Sequence, residues 1–455
     1  MNGDLDLQTS NNVWETSFTP LSDAPIHVGE NQPYQSLQAA LDTLVQRGMC
    51  ADLEIIVHPG IYAVDQRDFN FSETEQLAGL TIRSLNNDPT EAEINLPTEG
   101  LIFTDGPHID FQDLQFVCPD TAFITLNGAI SDVLLSRCRL NGRIKYNTDS
   151  GVENAVTEVR DCEYFDGAYE IIDARSPVVP ESVVFSGNSV SSSPSVFSGL
   201  NLDGVEGLIM EQNVFRTRQS LIARCVNISN VIAKRNDIVW IGSTGPFVSF
   251  KPEVEGTAII ENNYFDGNLN FVPRALFIQG SSLENHHATI IHNTFRSVNR
   301  SIRSNSVGLT IQNNILGGVE SAVYTQEADI PFIVSDVQAF NEITAFETSG
   351  NVNINPMLNN GSVAQNEEIA GLGVGLGVQT DILGNERDSS TPTPGAFEVL
   401  AAAPVPGDLT GDGVVNTSDL LTLLSEFGCG GCVNSDLNGD GLVNMADLLE
   451  LLSLL

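Results

Sequence analysis

The sequence predicts an all-β fold, a parallel β-helix of short stacked strands, followed by a small α-helical unit at the C-terminus. Three observations lead to this prediction. An asparagine-centred phrase recurs through the middle of the chain with a period near 25 residues. The same region is rich in short aliphatic runs and shows little helical patterning. Near the C-terminus one acidic motif occurs twice, at an offset of 28 residues.

The recurring phrase consists of aliphatic residues, an asparagine, one further residue and an apolar residue, as in "AIIENNYF" and "ATIIHNTF". Its asparagines are Asn188, Asn213, Asn236, Asn263, Asn293 and Asn314. A period of this length, built from short strands, is typical of a solenoid. Because rungs of a parallel β-helix stack about 4.8 Å apart, equivalent asparagines can satisfy each other's amide groups. We therefore expect a buried asparagine ladder.

Two earlier rungs have cysteine in place of asparagine. Cys138 and Cys162 are 24 residues apart and should stack as neighbours. Stacked Cβ atoms lie farther apart than the roughly 3.8 Å that a disulfide prefers. The pair is therefore either two buried thiols or a disulfide bond.

The predicted coil should be closed at both ends, because an open β edge invites aggregation. At its start, "YQSLQAALDTLVQRG" predicts a capping helix with Ser36 as N-cap, followed by the strand segment "LEIIVHPGIY". The apolar face of this helix contains Leu37, Ala40, Leu41, Leu44 and Val45. At the end of the coil, "GNVNINPMLNNG" and "TDILGNERDSSTPTPGAFEVL" are the closing segments.

We divide the 455 residues into four parts. Residues 1–25 are an N-terminal extension, residues 26–400 are the capped coil, residues 401–407 are an Ala/Pro-rich linker, and residues 408–455 are the C-terminal unit. A chain of this length can bury a large core and carry more than one domain.

The helix followed by "PGIY", the closing segments and the asparagine rhythm together resemble pectate-lyase-like right-handed parallel β-helix proteins, over roughly residues 26–400. The resemblance implies a right-handed coil. It also implies activity on acidic or neutral polysaccharides, usually along one long parallel sheet whose outward side chains line a groove. It is specific for the fold and only loosely informative about chemistry.

Each copy of the C-terminal motif has the spacing of a calcium loop, with oxygen ligands at positions 1, 3, 5, 9 and 12 and a backbone carbonyl at position 7. The predicted ligands are Asp408, Thr410, Asp412, Val414, Asn416 and Asp419 in the first loop, and Asp436, Asn438, Asp440, Leu442, Asn444 and Asp447 in the second. Position 12 is Asp rather than the usual Glu, and a short apolar helix follows each loop. We expect two bound Ca²⁺ ions.

This duplicated loop and helix resembles the dockerin domain over about residues 408–455. The "GCGGC" stretch between the copies, with Cys429 and Cys432, is similar to a dockerin variant with a Gly-Cys insert. The resemblance implies calcium-dependent binding of a cohesin partner. A Ser/Thr pair at positions 10 and 11 carries recognition in the best-known dockerins. The first copy has Thr417 and Ser418, whereas the second departs from the pattern.

The composition narrows the functional classes. A formal net charge of -39, from 59 acidic and 20 basic residues, argues against nucleic acid as a partner, because phosphate contacts need clustered Lys and Arg. It fits an extracellular or cell-surface protein. No apolar run approaches the roughly 18 residues of a membrane span, and the first residues, "MNGDLDLQTSNNVWE", show no signal peptide. Seven cysteines leave at least one unpaired.

The strand that follows each asparagine turn could present a row of outward side chains for a glycan. Strand alternation selects Asp173, Phe197, Arg224, Lys251, Phe277, Arg303 and Tyr324. Aromatic rings stack on pyranose faces, and cations offset the charge of sugar acids. The alternative is that these are scattered surface residues on an acidic solenoid.

Arg224 and Lys251 are the candidate catalytic pair, because their separation of 27 residues is about one coil and would stack them as neighbours. Repulsion between the two cations would favour the neutral amine of Lys251, which could then remove the C5 proton of a uronate. Arg224 would stabilise the growing carboxylate charge. Asp173, Asp203 or Glu253 could hold a further Ca²⁺ at the groove, or act as acid and base in a hydrolase.

The leading hypothesis is therefore a lyase or glycoside hydrolase acting on an acidic polysaccharide. The segment "VSFKPEVEGTAIIENNYFDG" also looks faintly like polysaccharide lyase family six, in which an Arg follows the Lys one rung later. Gln279 stands at that position, so no activity is transferred from that family. The alternative is a non-catalytic β-helix that binds glycans or belongs to a cell-surface layer.

Overall fold

A computed structural model gives the architecture. It describes residues 24–47, 51–65, 67–70, 79–96, 100–105, 108–118, 122–128, 132–147, 155–165, 170–175, 179–191, 199–217, 222–240, 246–267, 274–279, 287–305, 308–325, 332–335, 338–339, 369–399, 406–410 and 414–455. The chain forms two compact units, Met1–Glu398 and Val399–Leu455.

In its described part the first unit contains one helix, Leu37–Arg47 (α1), which lies between the first two strands of a long succession. Its N-terminal strands are Ile26–Val28 (β1), Leu53–Val57 (β2), Gly60–Ala63 (β3), Arg67–Asn70 (β4), Leu80–Ser84 (β5), Ala92–Asn95 (β6), Leu101–Thr104 (β7), Ile109–Gln112 (β8), Gln115–Val117 (β9), Ala122–Asn127 (β10), Val133–Ser136 (β11), Arg139–Leu140 (β12), Arg143–Tyr146 (β13), Val156–Arg160 (β14), Glu163–Tyr164 (β15), and Ile172–Ala174 (β16).

The remaining strands continue the same succession. They are Ser182–Ser186 (β17), Ser189–Ser191 (β18), Leu200–Asp203 (β19), Gly207–Glu211 (β20), Val214–Thr217 (β21), Ala223–Lys234 (β22), Asp237–Trp240 (β23), Pro246–Glu261 (β24), Tyr264–Asp266 (β25), Arg274–Gln279 (β26), His287–Ile291 (β27), Thr294–Asn305 (β28), Gly308–Gln312 (β29), Ile315–Thr325 (β30), Phe332–Ser335 (β31), and Gln338–Ala339 (β32).

Successive strands wind through three parallel sheets. Sheet 1 contains β1, β2, β5, β8, β11, β14, β17, β20, β27, β29, β31 and the second halves of β22 and β24. Sheet 2 contains β3, β6, β9, β12, β15, β18, β21, β23, β25, β32 and the first parts of β28 and β30. Sheet 3 contains β4, β7, β10, β13, β16, β19, β26, the first parts of β22 and β24, and the last parts of β28 and β30. The predicted parallel β-solenoid is confirmed.

Inward side chains of successive rungs stack into one continuous core. Its rings form parallel stacks where the register aligns them. Phe69 pairs with Phe103 in register, with ring centroids 5.2 Å apart, and Phe265 pairs with Phe295 at 4.8 Å. All four side chains are buried. Burial of this apolar surface is the main favourable term holding the rungs together.

A left-handed backbone residue marks the turn between sheets 1 and 2 in nine described rungs. These residues are Asp113, Arg137, Asp161, Gly187, Gln212, Arg235, Asn262, His292 and Asn313, with φ between 51° and 67°. This region of φ favours Gly and Asn. A Cβ on Gly187 would lie 2.2 Å from a side-chain oxygen of Asp161, so a larger residue there would have to displace that carboxylate.

The predicted asparagine ladder follows this turn and is confirmed. The Nδ2 of Asn236 donates to Oδ1 of Asn263 at 2.8 Å and to the carbonyl of Met210 at 2.9 Å. The backbone N–H of Asn236 donates to the same Oδ1 at 3.0 Å. Asn213 in turn donates to Oδ1 of Asn236 at 2.9 Å. All six asparagines are buried, so the ladder satisfies polar groups that water does not reach.

Cys138 and Cys162 extend the ladder as thiols rather than as a disulfide. The backbone N–H of Cys138 points to Sγ of Cys162 at 3.4 Å, and the N–H of Cys162 donates to Oδ1 of Asn188 at 2.9 Å. Burial raises the pKa of the Cys138 thiol well above its usual value. Each sulfur therefore lies where later rungs have an asparagine side-chain amide. A thiol has one hydrogen-bond donor, whereas the NH₂ group of the amide has two.

The capping helix covers the first rungs as predicted. Oγ of Ser36 accepts a hydrogen bond from the N–H of Ala39 at 3.2 Å, which confirms the N-cap. The predicted apolar side chains Leu37, Ala40, Leu41 and Leu44 are fully buried, whereas the side chain of Val45 lies outside the described part.

A segment of irregular structure, residues 369–399, packs against the last turns. Asn262 and Asn313, two of the left-handed residues, donate to backbone carbonyls of this segment at 2.7 Å. The buried Arg387 donates to Oδ1 of Asn262 at 2.8 Å and pairs with Glu398 at 2.9 Å. The segment is therefore held by the same turns that carry the ladder.

The second unit contains two helices, Thr417–Ser425 (α2) and Met445–Leu454 (α3), with Leu423, Val443 and Leu451 as its core. Asn416 and Asn444 are the N-caps, and each forms a capping box with an Asp three residues later. A disulfide joins Cys429 and Cys432.

The ladder makes a prediction about stability. Asn236→Ala or Asn263→Ala should lower the free energy of unfolding by about 1–3 kcal/mol, because each change strands buried polar groups in two rungs. Asn314→Ala should cost less, because Asn314 is the last asparagine of the ladder. The exposed Asn230 provides a matched control, and Asn230→Ala should cost under about 0.5 kcal/mol. Equal losses at all four positions in chemical denaturation would contradict the ladder.

His292 makes a prediction about acid stability. Burial and the nearby Arg387 lower its pKa from 6.5 to about 3, so the folded chain keeps it neutral. The unfolded chain protonates it below pH 6.5, so stability falls between pH 6.5 and 3. His292→Asn copies the neighbouring turns and removes this proton. Thermal unfolding at several pH values should show a shallower loss in the variant, and an identical pH dependence would refute the assignment.

Candidate functional site

The outward face of sheet 3 carries a continuous row of aligned side chains, here called the outer file. Strand register pairs them successively as Lys145, Asp173, Asn201, Arg224, Ser249, Phe277 and Arg303. Five rungs separate Asp173 from Arg303, which corresponds to about 24 Å along the coil axis. Polar, charged and aromatic groups on one straight line suit a linear polymer better than a compact ligand.

An ionic cluster occupies the first part of the outer file. Arg175 donates to both oxygens of Asp173, at 2.6 and 2.8 Å. Arg143 lies 3.4 Å from Glu170 and 3.6 Å from Asp173, and Arg175 lies 3.6 Å from Glu170. The hydrogen bond to Asp173 raises the pKa of Arg175 above its usual value. The two largely buried carboxylates are therefore bridged by two guanidinium groups.

Asn201 links this cluster to Arg224. Its Nδ2 donates to Glu170 at 3.4 Å, and its Oδ1 accepts from Nη1 of Arg224 at 3.1 Å. Asn201 is buried, while Arg224 is partly exposed. The buried amide of Asn201 therefore orients the guanidinium of Arg224. The remaining N–H donors of this partly exposed side chain lie at the surface.

Further along the outer file, Phe277 lies among arginines. The guanidinium carbon of Arg274 is 4.4 Å from the ring centroid, and that of Arg303 is 4.9 Å away. Both distances are in the range of a cation–π contact. The sequence predicted that Phe277 stacks on a sugar ring, but two guanidinium groups already contact this ring.

The predicted direct stacking of Arg224 and Lys251 is wrong in register. Arg224 aligns with Ser249, and Lys251 aligns with Val226. Lys251 is exposed on the same outward face but lies two residues further along its strand. The two Cα positions are thus diagonal neighbours, about 8 Å apart from the strand geometry. One face still carries both cations.

Other predicted site residues fall differently. At the rung where the sequence suggested Phe197, the outer file contains Asn201 instead. Phe197 itself lies outside the described residues, as do the side chains of Tyr324 and Glu253. The backbone of Tyr324 is in register with Arg303 at the end of the outer file.

The carboxylates of the groove do not fit the predicted further Ca²⁺. Asp173 and Glu170 face guanidinium groups, which occupy the oxygens that a cation would need. Asp203 accepts a hydrogen bond from Asn227 at 2.7 Å and lies outside the outer file. In the described part of the chain no three His, Cys, Asp or Glu residues gather as a metal centre.

The second C-terminal loop is fully described, and its donor set consists of oxygens, as a hard cation requires. Asp436 accepts from the backbone N–H of Asp440 and Gly441, at 3.1 and 2.7 Å, which folds the loop tightly. Asp447 accepts from the N–H of Asn444 at 2.8 Å. In the first loop Asp412 lies outside the described residues.

Asp419 shows a second role for the acid at position 12. It is buried and accepts from the N–H groups of Leu409, Thr410 and Asn416, at 2.9, 2.9 and 2.7 Å. These bonds, led by that from Asn416, lower its pKa to about 2. The carboxylate therefore ties the loop to the start of α2.

The charged partners around the outer file were missed from the sequence. Arg143, Glu170, Arg175 and Arg274 lie at strand ends or corners, where simple alternation does not assign a face. Their spacing was the available signal, since Glu170 and Arg274 each precede an outer-file residue by three positions.

None of the described helices is both long and apolar enough to cross a membrane.

Comparison with known proteins finds solved structures of low identity and low TM-score. A PL6 family alginate lyase, AlyGC, has 13% identity and a TM-score of 0.38, covering 75% of this chain and 55% of that chain. Pectate lyase Pel9A has 12% identity and a TM-score of 0.33, covering 83% and 97%. The pectin methylesterase from Aspergillus niger, in deglycosylated form, has 10% identity and a TM-score of 0.28, covering 77% and 96%.

The chain thus spans about half the length of the alginate lyase. No protein-family model matches the sequence, and no curated protein does.

Proposed function

We propose that the first unit acts on an acidic polysaccharide lying along the outer file of sheet 3. The observation that carries the proposal is the straight row of charged and polar side chains from Lys145 to Arg303, in register over successive rungs. A linear polymer can contact every rung of such a row. The resemblance of the sequence to pectate-lyase-like proteins supports the same substrate class.

A lyase reaction is the leading chemistry. Lys251 acts as the base that removes the C5 proton of a uronate. The C5–H electron pair forms the C4–C5 double bond, and the glycosidic oxygen at C4 leaves and takes up a proton from water. Arg224, oriented by Asn201, stabilises the carboxylate charge that grows in the transition state. The diagonal offset lets the two side chains reach different atoms of one sugar.

Non-catalytic glycan binding is the second candidate, and one observation favours it. Asp173 and Glu170 are tied to Arg175 and Arg143 in ion pairs. Carboxylates in such pairs do not serve as free acid and base, which also speaks against a hydrolase built on them. A binding protein needs only the fixed charges.

We further propose that the second unit is a dockerin-like module that binds two Ca²⁺ ions and docks the protein to a cohesin-type partner outside the cell. The repeated oxygen ligands and the loop turns around Asp436 support calcium binding. Bound Ca²⁺ would neutralise the clustered carboxylates of each loop. In the described second loop the ligands would be Asp436, Asn438, Asp440, the carbonyl of Leu442, Asn444 and Asp447.

Lys251→Ala tests the lyase chemistry. Elimination from alginate or polygalacturonate, followed by the ultraviolet absorbance of the unsaturated product, should fall by about 10²-fold or more, because the base is lost. Affinity for the polymer and the melting temperature should change little. Lys234→Ala is the matched control, because Lys234 lies in sheet 1 and pairs with Glu261.

Undiminished elimination by Lys251→Ala would exclude this residue as the base. A wild-type protein that binds these polymers but releases no unsaturated product would establish the binding alternative.

Calcium removal tests the second unit. Chelation of the full chain should unfold α2 and α3, because uncompensated loop carboxylates repel each other and the small core is insufficient. The α-helical circular dichroism should fall while the β signal of the coil persists. Calorimetric titration with Ca²⁺ should give two sites in the wild type and one in Asp440→Asn. The control Asp388→Asn, in an exposed turn of the first unit, should keep both. Calcium-independent spectra would contradict the proposal.

A further inference from the structure

Three arginines gather at one corner of sheet 3, around Phe277. Arg303 is in register with Phe277, and Arg274 begins the same strand as the ring. Arg274 and Arg300 each lie two residues before a registered pair, Leu276 and Ile302, so they occupy the same corner on adjacent rungs. Two of the three guanidinium groups contact the ring, at 4.4 and 4.9 Å.

This concentration of positive charge is unusual in so acidic a chain, which has 59 acidic and 20 basic residues. Burial is the main cause that lowers the pKa of Arg274 below its usual value, and the positive charges of Arg303 and Arg300 lower it further. Within the described residues Arg274 forms no ion pair with a carboxylate. Arg303 and Arg300 therefore place their positive charge beside a guanidinium group that pairs with no carboxylate among the described residues.

A second arginine–phenylalanine pair shows how the same contact looks when it is neutralised. Arg139 lies 4.9 Å from the ring centroid of Phe165, on sheet 2. It donates to Glu163 at 2.7 Å and to Gln115 at 2.6 Å. A carboxylate thus satisfies Arg139 within the protein, whereas Arg274 keeps its guanidinium available for a ligand.

We propose that Arg274, Arg300 and Arg303 form a subsite for the anionic group of a sugar, a carboxylate or a sulfate ester, one to two rungs beyond Lys251. The inference rests on the proposed function and adds a specificity-determining site to it. Planar guanidinium groups bind carboxylate and sulfate through paired donors. Water also hydrates them more weakly than it hydrates an ammonium group. Phe277 is the positioning residue, because its ring holds two of the guanidinium groups in place.

Binding of four probes to the full chain tests the subsite: polygalacturonate, its methyl-esterified form, dextran sulfate and dextran. Arg274→Gln and Arg303→Gln should each weaken binding of one or both charged probes by about tenfold or more. Binding of the uncharged probes should stay as in the wild type. Arg274→Lys keeps the charge but not the paired donors, so it should lie between wild type and Arg274→Gln, and it serves if Arg274→Gln fails to fold.

Two controls separate this role from general charge and from packing. Arg139→Gln removes the same side chain from the neutralised pair and should change affinity less than about twofold. Phe277→Leu should weaken only the charged probes, and Phe277→Tyr should restore their binding, because the tyrosine ring can hold the guanidinium groups. Raising the ionic strength should weaken the wild type more than Arg274→Gln.

The outcomes distinguish the subsite from the proposed function. The charged probe that loses affinity in the arginine variants identifies the anionic group. Polygalacturonate indicates a carboxylate, and dextran sulfate indicates a sulfate ester. If polygalacturonate is cleaved, and both charged probes are bound equally well by wild type and both arginine variants, the subsite is overturned and the proposed function stands. If dextran sulfate alone binds, and does so through the arginines, the subsite stands and action on a uronate polymer is refuted. A wild type that binds no charged probe overturns both.

Discussion

The register between rungs is the constraint on which the rest of the molecule depends. Every side chain of the outer file comes from a different rung, and a one-residue slip would bury charges and expose the core. Backbone hydrogen bonds alone allow such a slip, because all peptide groups are alike. The left-handed turn residue and the asparagine that follows it differ from their neighbours, and they hold each rung to the next at one defined point.

The same register gives the candidate site its linear form. Residues that are distant in sequence, such as Asp173 and Arg303, lie on one line only because each intervening rung keeps its alignment. The ionic cluster at one end has its charges balanced within the protein. Towards the other end, Arg274 of the arginine cluster forms no ion pair with a carboxylate among the described residues. A charged polymer would therefore meet different electrostatic surroundings at the two ends of the file.

The ladder and the choice of outward residues could be read from the sequence because both repeat with the rung. The period predicts which rung a residue belongs to, and alternation predicts its face. Neither predicts the offset along the strand, since the segments between asparagine and strand vary in length. Lys251 and Ser249 illustrate this limit, because both point outward and only backbone pairing decides which aligns with Arg224. Corner residues such as Glu170 follow neither rule.

The cysteines separate into two chemical environments. Cys429 and Cys432 are joined in the second unit, whereas Cys118, Cys138, Cys162 and Cys225 are buried thiols of the coil. Burial raises the pKa of Cys225 to about 12, so almost no nucleophilic thiolate forms at this residue in the folded coil. Oxidants and disulfide exchange can reach these four sulfurs only before the rungs close over them. Non-native disulfides are therefore a hazard of the folding chain, and the finished coil is protected from them.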